Sequence, residues 1–384
     1  MAMNNQYKRQ PQTLNHGVLS MKNLSFLSSV VLAASVSLLA TTGPAQTSTP
    51  YTILQKTQTM GNGGIDYVYA DSDGRRIYVP RGGQTFVFDL DTYKPVGTVA
   101  GVGGHGVAVD SKSHHGFSSS KPVSMFDTTT LTEIKKIPVE GGPDGILYEP
   151  VSDRVWIFSH TAPNATLIDP KDGTITGTLD LGGQPEQAAS DGKGTLYVDL
   201  EDKNSIAVVD LKSLKVTATY ALGDKGDGPA GLGLDAKNHI LFAFCHSQNC
   251  VILNANDGKI ITTLPIGNGV DGGGFNPNTM EAFSSQGRDG TLTIIKETSP
   301  TSFEVGQNLK TVMGAKTCTL DAKTGHIVLI AVERVLAPPP VTDAAVAGGA
   351  KPGTVPQPTS EPAGTPQRGR NNGPGNLDLI VVGR

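Results

Sequence analysis

The chain has 384 residues, 17% of them charged, and a formal net charge of −4. No basic excess is present to hold a polyanion, so the electrostatic footprint of a nucleic-acid binder is missing, and no long run of like charge forms a tail. Gly is abundant at 47 and Pro at 25, while aromatics are only 5%; turns are therefore many, and the core must rest on Val, Ile, Leu and Ala.

Taken in chain order, the first segment reads as an address. Met21-Lys22 opens a short positive stretch, Phe26 to Ala40 is apolar and laced with Ser and Ala, and Gly43-Pro44-Ala45 offers small residues for cleavage. This is the order of a secretory signal over residues 1–45, with translation starting at Met1 or Met21 and the mature chain beginning near Gln46. A retained anchor needs about 20 apolar residues; this stretch is shorter and is broken by Ser28, Ser29 and Ser35. No later segment is suited to span a membrane. The expectation is an exported protein, periplasmic or extracellular, in an oxidising compartment.

After the signal, YTILQKTQ (Tyr51 to Gln58) is a strand with no local partner. Short β runs then repeat: GRRIYVP, TFVFDLDT and PVGTVAG in the first unit, TLYVDLED, SIAVVDLKS and VTATYALG in the fourth. The third unit shows every piece: GILYEP after Asp144, VWIFSH, ATLIDP, the turn Lys171-Asp172-Gly173, and TITGTLDLGG. Asp-Gly turns between alternating or β-branched runs favour hairpins, and helical periodicity is sustained nowhere. Each unit also carries a glycine-rich turn, one variable residue, an apolar run and then Asp, Glu or Asn. The variable residues are Asp66, His105, Asp144, Glu186, Ala230, Asp271 and Lys316, at spacings of 39, 39, 42, 44, 41 and 45. Four antiparallel strands in each of seven units predict an all-β, seven-bladed β-propeller.

Such a ring must close or leave an unpaired edge. Residues 336–376 are dense in Pro, Gly, Ala, Thr and Gln, a composition that cannot order itself, and Leu377 to Val382 (LDLIVV) is again a strand. We expect LDLIVV to be the third strand of blade seven and the N-terminal strand its fourth. Residues 51–384 then form one domain, with 336–376 as a disordered insertion within blade seven.

The phrases GGHGVAVD, GGPDGILYEP, GGQPEQAASDGKGTLYVDLEDKNSIAVVDLKS and DGTLTII resemble the bacterial YVTN-repeat β-propeller family, of which secreted YncE-like proteins are the nearest group. The likeness covers roughly residues 51–335 and the last strand. Its strand-end signature is carried by Phe88-Asp89, Phe126-Asp127, Ile168-Asp169 and Val209-Asp210; Ile295-Lys296 departs from it. The resemblance implies a seven-bladed ring and little chemistry.

The variable residues occupy equivalent positions at the start of each innermost strand, so they should ring the axis. Three uses remain open. Polar groups can simply hydrate the channel. Carboxylates and an imidazole suit a divalent cation, with Asp66, His105, Asp144, Glu186 and Asp271 as candidate ligands. A perturbed carboxylate or imidazole can act in acid–base catalysis, with Glu186 and His105 as candidates. Loops between second and third strands should join the same face, adding Arg81, His160 and Arg288 to Asp66, His105, Asp144, Glu186, Asp271 and Lys316 as candidate ligand contacts. The reading is a monomeric binding or scaffold module for a small molecule, peptide or protein; the alternative is a metal-dependent lyase or lactonase on the same ring.

The recurring strand-end Asp residues fix turns by accepting backbone N–H bonds. Cys245 and Cys250 flank a four-residue segment and are expected to face each other as a disulfide, with Cys318 a buried thiol. No phosphate-binding loop, haem attachment site or nucleophile elbow is present.

Overall fold

The computed structural model describes residues 49–334 and 374–384. The expected signal (1–45) and nearly all of the expected insertion (336–376) lie outside these residues.

The strands group into seven separate four-stranded sheets, each antiparallel and each built mostly from consecutive strands. Blade 4 is typical: Pro185–Ser190, Thr195–Leu200, Ser205–Asp210 and Lys215–Ala221 pair in sequence order. The innermost strands of the seven blades are Tyr69–Asp71, Val107–Asp110, Pro143–Glu149, Pro185–Ser190, Pro229–Asp235, Val270–Asn276 and Thr317–Leu320. Blade 7 alone breaks sequence order. Its strands run Thr317–Leu320, Ile327–Arg334, Pro374–Gly383 and then Thr52–Asn62. The N-terminal strand pairs antiparallel with the C-terminal one from Thr52↔Gly383 to Asn62↔Pro374. The last strand begins at Pro374, three residues before the apolar run that marks it in the sequence.

Seven apolar clusters hold the ring, one at each blade–blade interface. Leu167, Trp156 and Phe158 of blade 3 meet Leu196, Val198 and Val209 of blade 4. At the closing interface, Ile77, Val79, Phe86 and Phe88 of blade 1 meet Val328, Ile330, Leu377, Leu379 and Val381 of blade 7. Both faces of the middle strands are buried because each blade has a neighbour on either side, so Val87, Phe88, Val208 and Val209 can all be apolar despite pointing alternately. The outer strands face solvent; the N-terminal strand is half exposed along its whole length.

The strand-end acids make the expected turns. Asp127 Oδ1 accepts from the N–H groups of Thr129 and Thr130 at 2.8 and 2.7 Å, and Asp210 Oδ1 from Ser213 at 2.6 Å. The inner-strand set works alike: Glu149 accepts from Val151 and Ser152, and Asp235 from Lys237. These short loops turn through left-handed residues, His239 at φ 58° and Met280 at φ 56°, which L side chains enter at some steric cost. At the equivalent place blade 7 has Gly325 at φ 76°, where no such cost arises.

The expected disulfide is absent. Cys245, Cys250 and Cys318 are all free and buried. The connection is one residue shorter than expected, so Cys245 pairs with Asn249 and Cys250 with Phe244. A one-residue offset puts the two sulfurs on opposite faces of the sheet. Accordingly Cys245 packs in the cluster between blades 4 and 5, and Cys250 in that between blades 5 and 6.

Candidate functional site: an acid–base arc at the axial mouth

In blades 3 to 6 the pairing of the first two strands slips at the top of the inner strand, between Pro143 and Ile146, Pro185 and Ala188, Pro229 and Gly231, and Val270 and Gly273. Asp144, Glu186, Ala230 and Asp271 each lie in such a bulge. A bulge frees a residue from the ladder and re-aims its side chain, which is how a β-strand delivers a polar group to the axis.

The structure links these side chains from blade to blade. Lys316 contacts Asp271 and also donates to Asp66 Oδ1 at 2.7 Å. Asp66 Oδ2 lies 2.6 Å from His105 Nδ1, which is 3.1 Å from Asp144 Oδ1. Asp144 Oδ2 lies 3.2 Å from His160 Nε2, which is 3.1 Å from Glu186 Oε1. Acids and bases thus alternate through Asp271, Lys316, Asp66, His105, Asp144, His160 and Glu186. Ala230 of blade 5 interrupts the circle. Across that gap, Glu201 of blade 4, placed by the 3-10 turn Glu201–Lys203, meets His246 of blade 5 at 3.2 Å.

The couplings set the charges. Burial alone would raise the Asp66 pKa, but the bonds from His105 and Lys316 prevail and hold it at about 2. Asp144 is pushed up to about 6 by burial, with Asp66 and Glu186 adding to the rise against the pull of His105. His160 is raised to about 9, first by the Glu186 carboxylate beside it. Burial also raises Asp271, against the attraction of Lys316. The Lys316 ammonium loses solvation, yet Asp271 and Asp66 raise its pKa further and keep it charged.

Two residues that the sequence reading passed over close the axis below the arc. Tyr67 of blade 1 reaches across the ring, and its hydroxyl donates to Glu186 Oε2 of blade 4 at 2.7 Å. Gln187 of blade 4 accepts from the N–H groups of Leu232 and Gly273, both at 3.1 Å, and donates to Gly273 O at 2.8 Å. Both directly follow a ring residue. The equivalent positions in blades 2, 3, 5 and 6 are Gly106, Gly145, Gly231 and Gly272, where the inner strands crowd the axis: a Cβ on Gly145 would sit 2.5 Å from Glu186 O, and one on Gly231 2.8 Å from the Gly272 backbone. A Cβ on Gly106 would sit 3.5 Å from the Tyr67 side chain.

A cavity of about 1210 Å³ adjoins the arc over blades 5 to 7, lined in part by His246, Asp271, Arg288, Met313, Lys316 and Glu333. A second of about 420 Å³ lies beside His105, with Ser119, Lys121 and Lys136. A third, of about 600 Å³, opens at the other end of the inner strands near Tyr69, Asp110 and Phe275.

The candidate contacts therefore separate. Asp66, His105, Asp144, Glu186, Asp271 and Lys316 come together, His160 joins them, and Arg288 lines the neighbouring cavity. Arg81 does not join: it ends the second strand of blade 1, fully buried, and its Nε donates to Gly63 O at 3.0 Å. Burial lowers its pKa. The N-terminal strand lies over it; a Cβ on Gly61 would be 3.1 Å from Arg81 Nη1. The sequence places Arg81 in a loop; in the structure it ends a strand, under the N-terminal strand that closure of the ring lays over it.

The fold and its axial mouth define a seven-bladed β-propeller. No family model matches the chain, and no curated protein does. Among solved structures it is similar to a chain of the mitotic checkpoint complex, at 13% identity and a TM-score of 0.61, covering 79% of this chain and 96% of that one. It is also similar to the RRP9 WD40 repeats, at 8% identity and a TM-score of 0.62, covering 86% and 97%. Both share the fold alone.

Proposed function

We propose that this chain is an exported, YVTN-type propeller of the YncE-like kind, acting as a monomeric binding or scaffold module whose ligand sits over the axial mouth. The cavity over blades 5 to 7 is the observation that carries the reading. Its volume of about 1210 Å³ suits a small molecule or a peptide segment. It offers the Arg288 guanidinium, the paired Lys316 and Asp271, the Glu333 carboxylate and an apolar edge in Met313. Polar groups of both signs beside an apolar wall favour a ligand that carries both charges. Loops on a rigid ring fix the backbone that carries such groups, which lowers the ordering cost at binding. The mitotic checkpoint complex contains a chain of similar fold, which accords with a protein or peptide partner.

Native mass spectrometry of gently purified chain tests the reading. A species retained by the wild type and lost from Arg288→Ala and Met313→Arg, with unchanged melting temperature, supports it. A species retained equally by all three places the ligand elsewhere. N-terminal sequencing of the secreted form tests export, with Gln46 as the expected neighbourhood of the first residue.

The alternative, a metal-dependent lyase or lactonase on the same ring, has one observation in its favour: two groups of three His and carboxylate side chains whose donor atoms converge.

A further inference from the structure

We propose that the axial arc is a dinuclear site for divalent cations bridged by the Asp144 carboxylate. One cation lies between Asp66, His105 and Asp144, and the other between Asp144, His160 and Glu186. The inference deepens the metal-dependent alternative and is independent of what occupies the cavity over blades 5 to 7.

The division of oxygen atoms points to it first. Asp66 has Oδ1 tied by the Lys316 ammonium and turns Oδ2 to His105. Glu186 has Oε2 tied by the Tyr67 hydroxyl and turns Oε1 to His160. Between them Asp144 presents Oδ1 to His105 and Oδ2 to His160. Each end carboxylate is thus oriented through one oxygen by an outer hydrogen-bond donor and turns the other to an imidazole, the arrangement that fixes metal ligands. The central carboxylate has both oxygens available, one for each group.

The contacts also have the spacing of donors that share an ion. Within each group the three donor atoms lie within 4.8 Å of one another. Neighbouring donors at about 2.0–2.2 Å from a cation, with tetrahedral to octahedral angles, are roughly 2.8–3.6 Å apart. The separations of 3.1, 3.2 and 3.1 Å along His105, Asp144, His160 and Glu186 fall in that range. Only Asp66–His105, at 2.6 Å, is shorter. Asp144 Oδ1 and His160 Nε2 are shielded from solvent and make no aligned hydrogen bond. Each is held only by the ion-pair contacts of the arc, Asp144 Oδ1 by His105 and His160 Nε2 by Asp144 and Glu186, so its hydrogen-bonding capacity is not fully used.

The donor set selects the ion. Two imidazoles with three carboxylates suit first-row divalent ions such as Zn²⁺ and Mn²⁺ better than Ca²⁺ or Mg²⁺, which favour all-oxygen shells. Three carboxylates carry three negative charges against the four positive charges of two cations. Asp271 is not a ligand, because Lys316 occupies it. His160, which sequence position alone places among the loop residues, is one.

Mn²⁺ serves as the probe, using the untagged full chain after metal stripping, Mn²⁺ addition and dialysis. The wild type is expected to retain two equivalents by elemental analysis and to give the exchange-coupled electron paramagnetic resonance signal of a close pair. Glu186→Gln should keep one equivalent with an uncoupled six-line spectrum. Asp144→Asn should lose coupling and at least one equivalent, and Asp271→Asn should keep the coupled pair. Retention of fewer than two equivalents by the wild type, or of two that are uncoupled, overturns the proposal. So does a Glu186→Gln variant that keeps the coupled pair. Circular dichroism checks each variant, and the wild-type spectrum decides the matter if a variant does not fold. Arg288→Ala should leave the metal count at two, so failure here and failure of the cavity reading are distinguishable.

Discussion

The Tyr51 hydroxyl donates to Glu281 Oε2 over 2.9 Å, although 230 residues separate them. The same carboxylate takes Arg384 at 2.5 Å, and that guanidinium lies 4.2 Å over the Tyr51 ring. Burial, then the Glu281 charge, pushes the Tyr51 hydroxyl pKa up to about 12, so it remains a donor at any ordinary pH. The two strands that complete blade 7 are therefore fastened to blade 6. A hydrogen bond to a charged acceptor is worth about 1.5–3 kcal/mol. Tyr51→Phe should lower the unfolding free energy by that amount in urea titration; an unchanged midpoint would show that the lock carries no stability.

Removal of residues 51–58 should destabilise the protein far more than removal of 340–372. The first deletion strips most of the pairing partners from the strand that carries Leu377, Leu379, Ile380, Val381 and Val382, all fully buried. Each such side chain contributes about 1.5–3 kcal/mol by burial, and a net stability of roughly 5–15 kcal/mol cannot absorb their loosening. Equal melting temperatures for the two deletions would contradict closure by the N-terminal strand.

Arg75 of blade 1 binds Asp321 of blade 7 through two bonds of 2.8 and 2.9 Å. Burial would raise the Asp321 pKa, but the guanidinium prevails and lowers it from 3.8 to about 2. A depressed carboxylate stabilises the fold above its unfolded pKa and loses that contribution as pH falls through the folded one. The pair should therefore supply about 1–2 kcal/mol above pH 4, after allowance for solvent around Arg75, and lose it between pH 4 and 2. Asp321→Asn should flatten the melting-temperature profile over that window. A profile parallel to the wild type would remove the pair from acid unfolding.

Gln187→Ala should cost about 2–4 kcal/mol, because it leaves the Leu232 and Gly273 N–H groups without their acceptor at the axis. Equilibrium denaturation reads the loss. A change below 0.5 kcal/mol, roughly the level of a neutral surface substitution, would mean that water replaces the amide without penalty.

The three cysteines should react with a thiol reagent in denaturant without prior reduction and stay unreactive in the native state. All three are buried, and burial holds each thiol above its usual pKa. A single reactive thiol in denaturant would restore the disulfide.

The sequence by itself determined the architecture. Glycine turns, β-branched runs and turn acids such as Asp127 and Asp210 act over a few residues, so their repetition is legible without a partner. It also marked Asp66, His105, Asp144, Glu186, Asp271 and Lys316 as one set, since equivalent positions in a ring share a radius. What the tertiary structure decided was who meets whom. Only the side-chain contacts between blades show that Asp144 is shared between His105 and His160, only closure buries Arg81, and only the true hairpin register turns Cys245 and Cys250 apart. Tyr67 and Gln187 act across the axis, on blades far away in the chain. Such contacts depend on register and on the curvature of the whole ring, and residue type along a chain encodes neither locally.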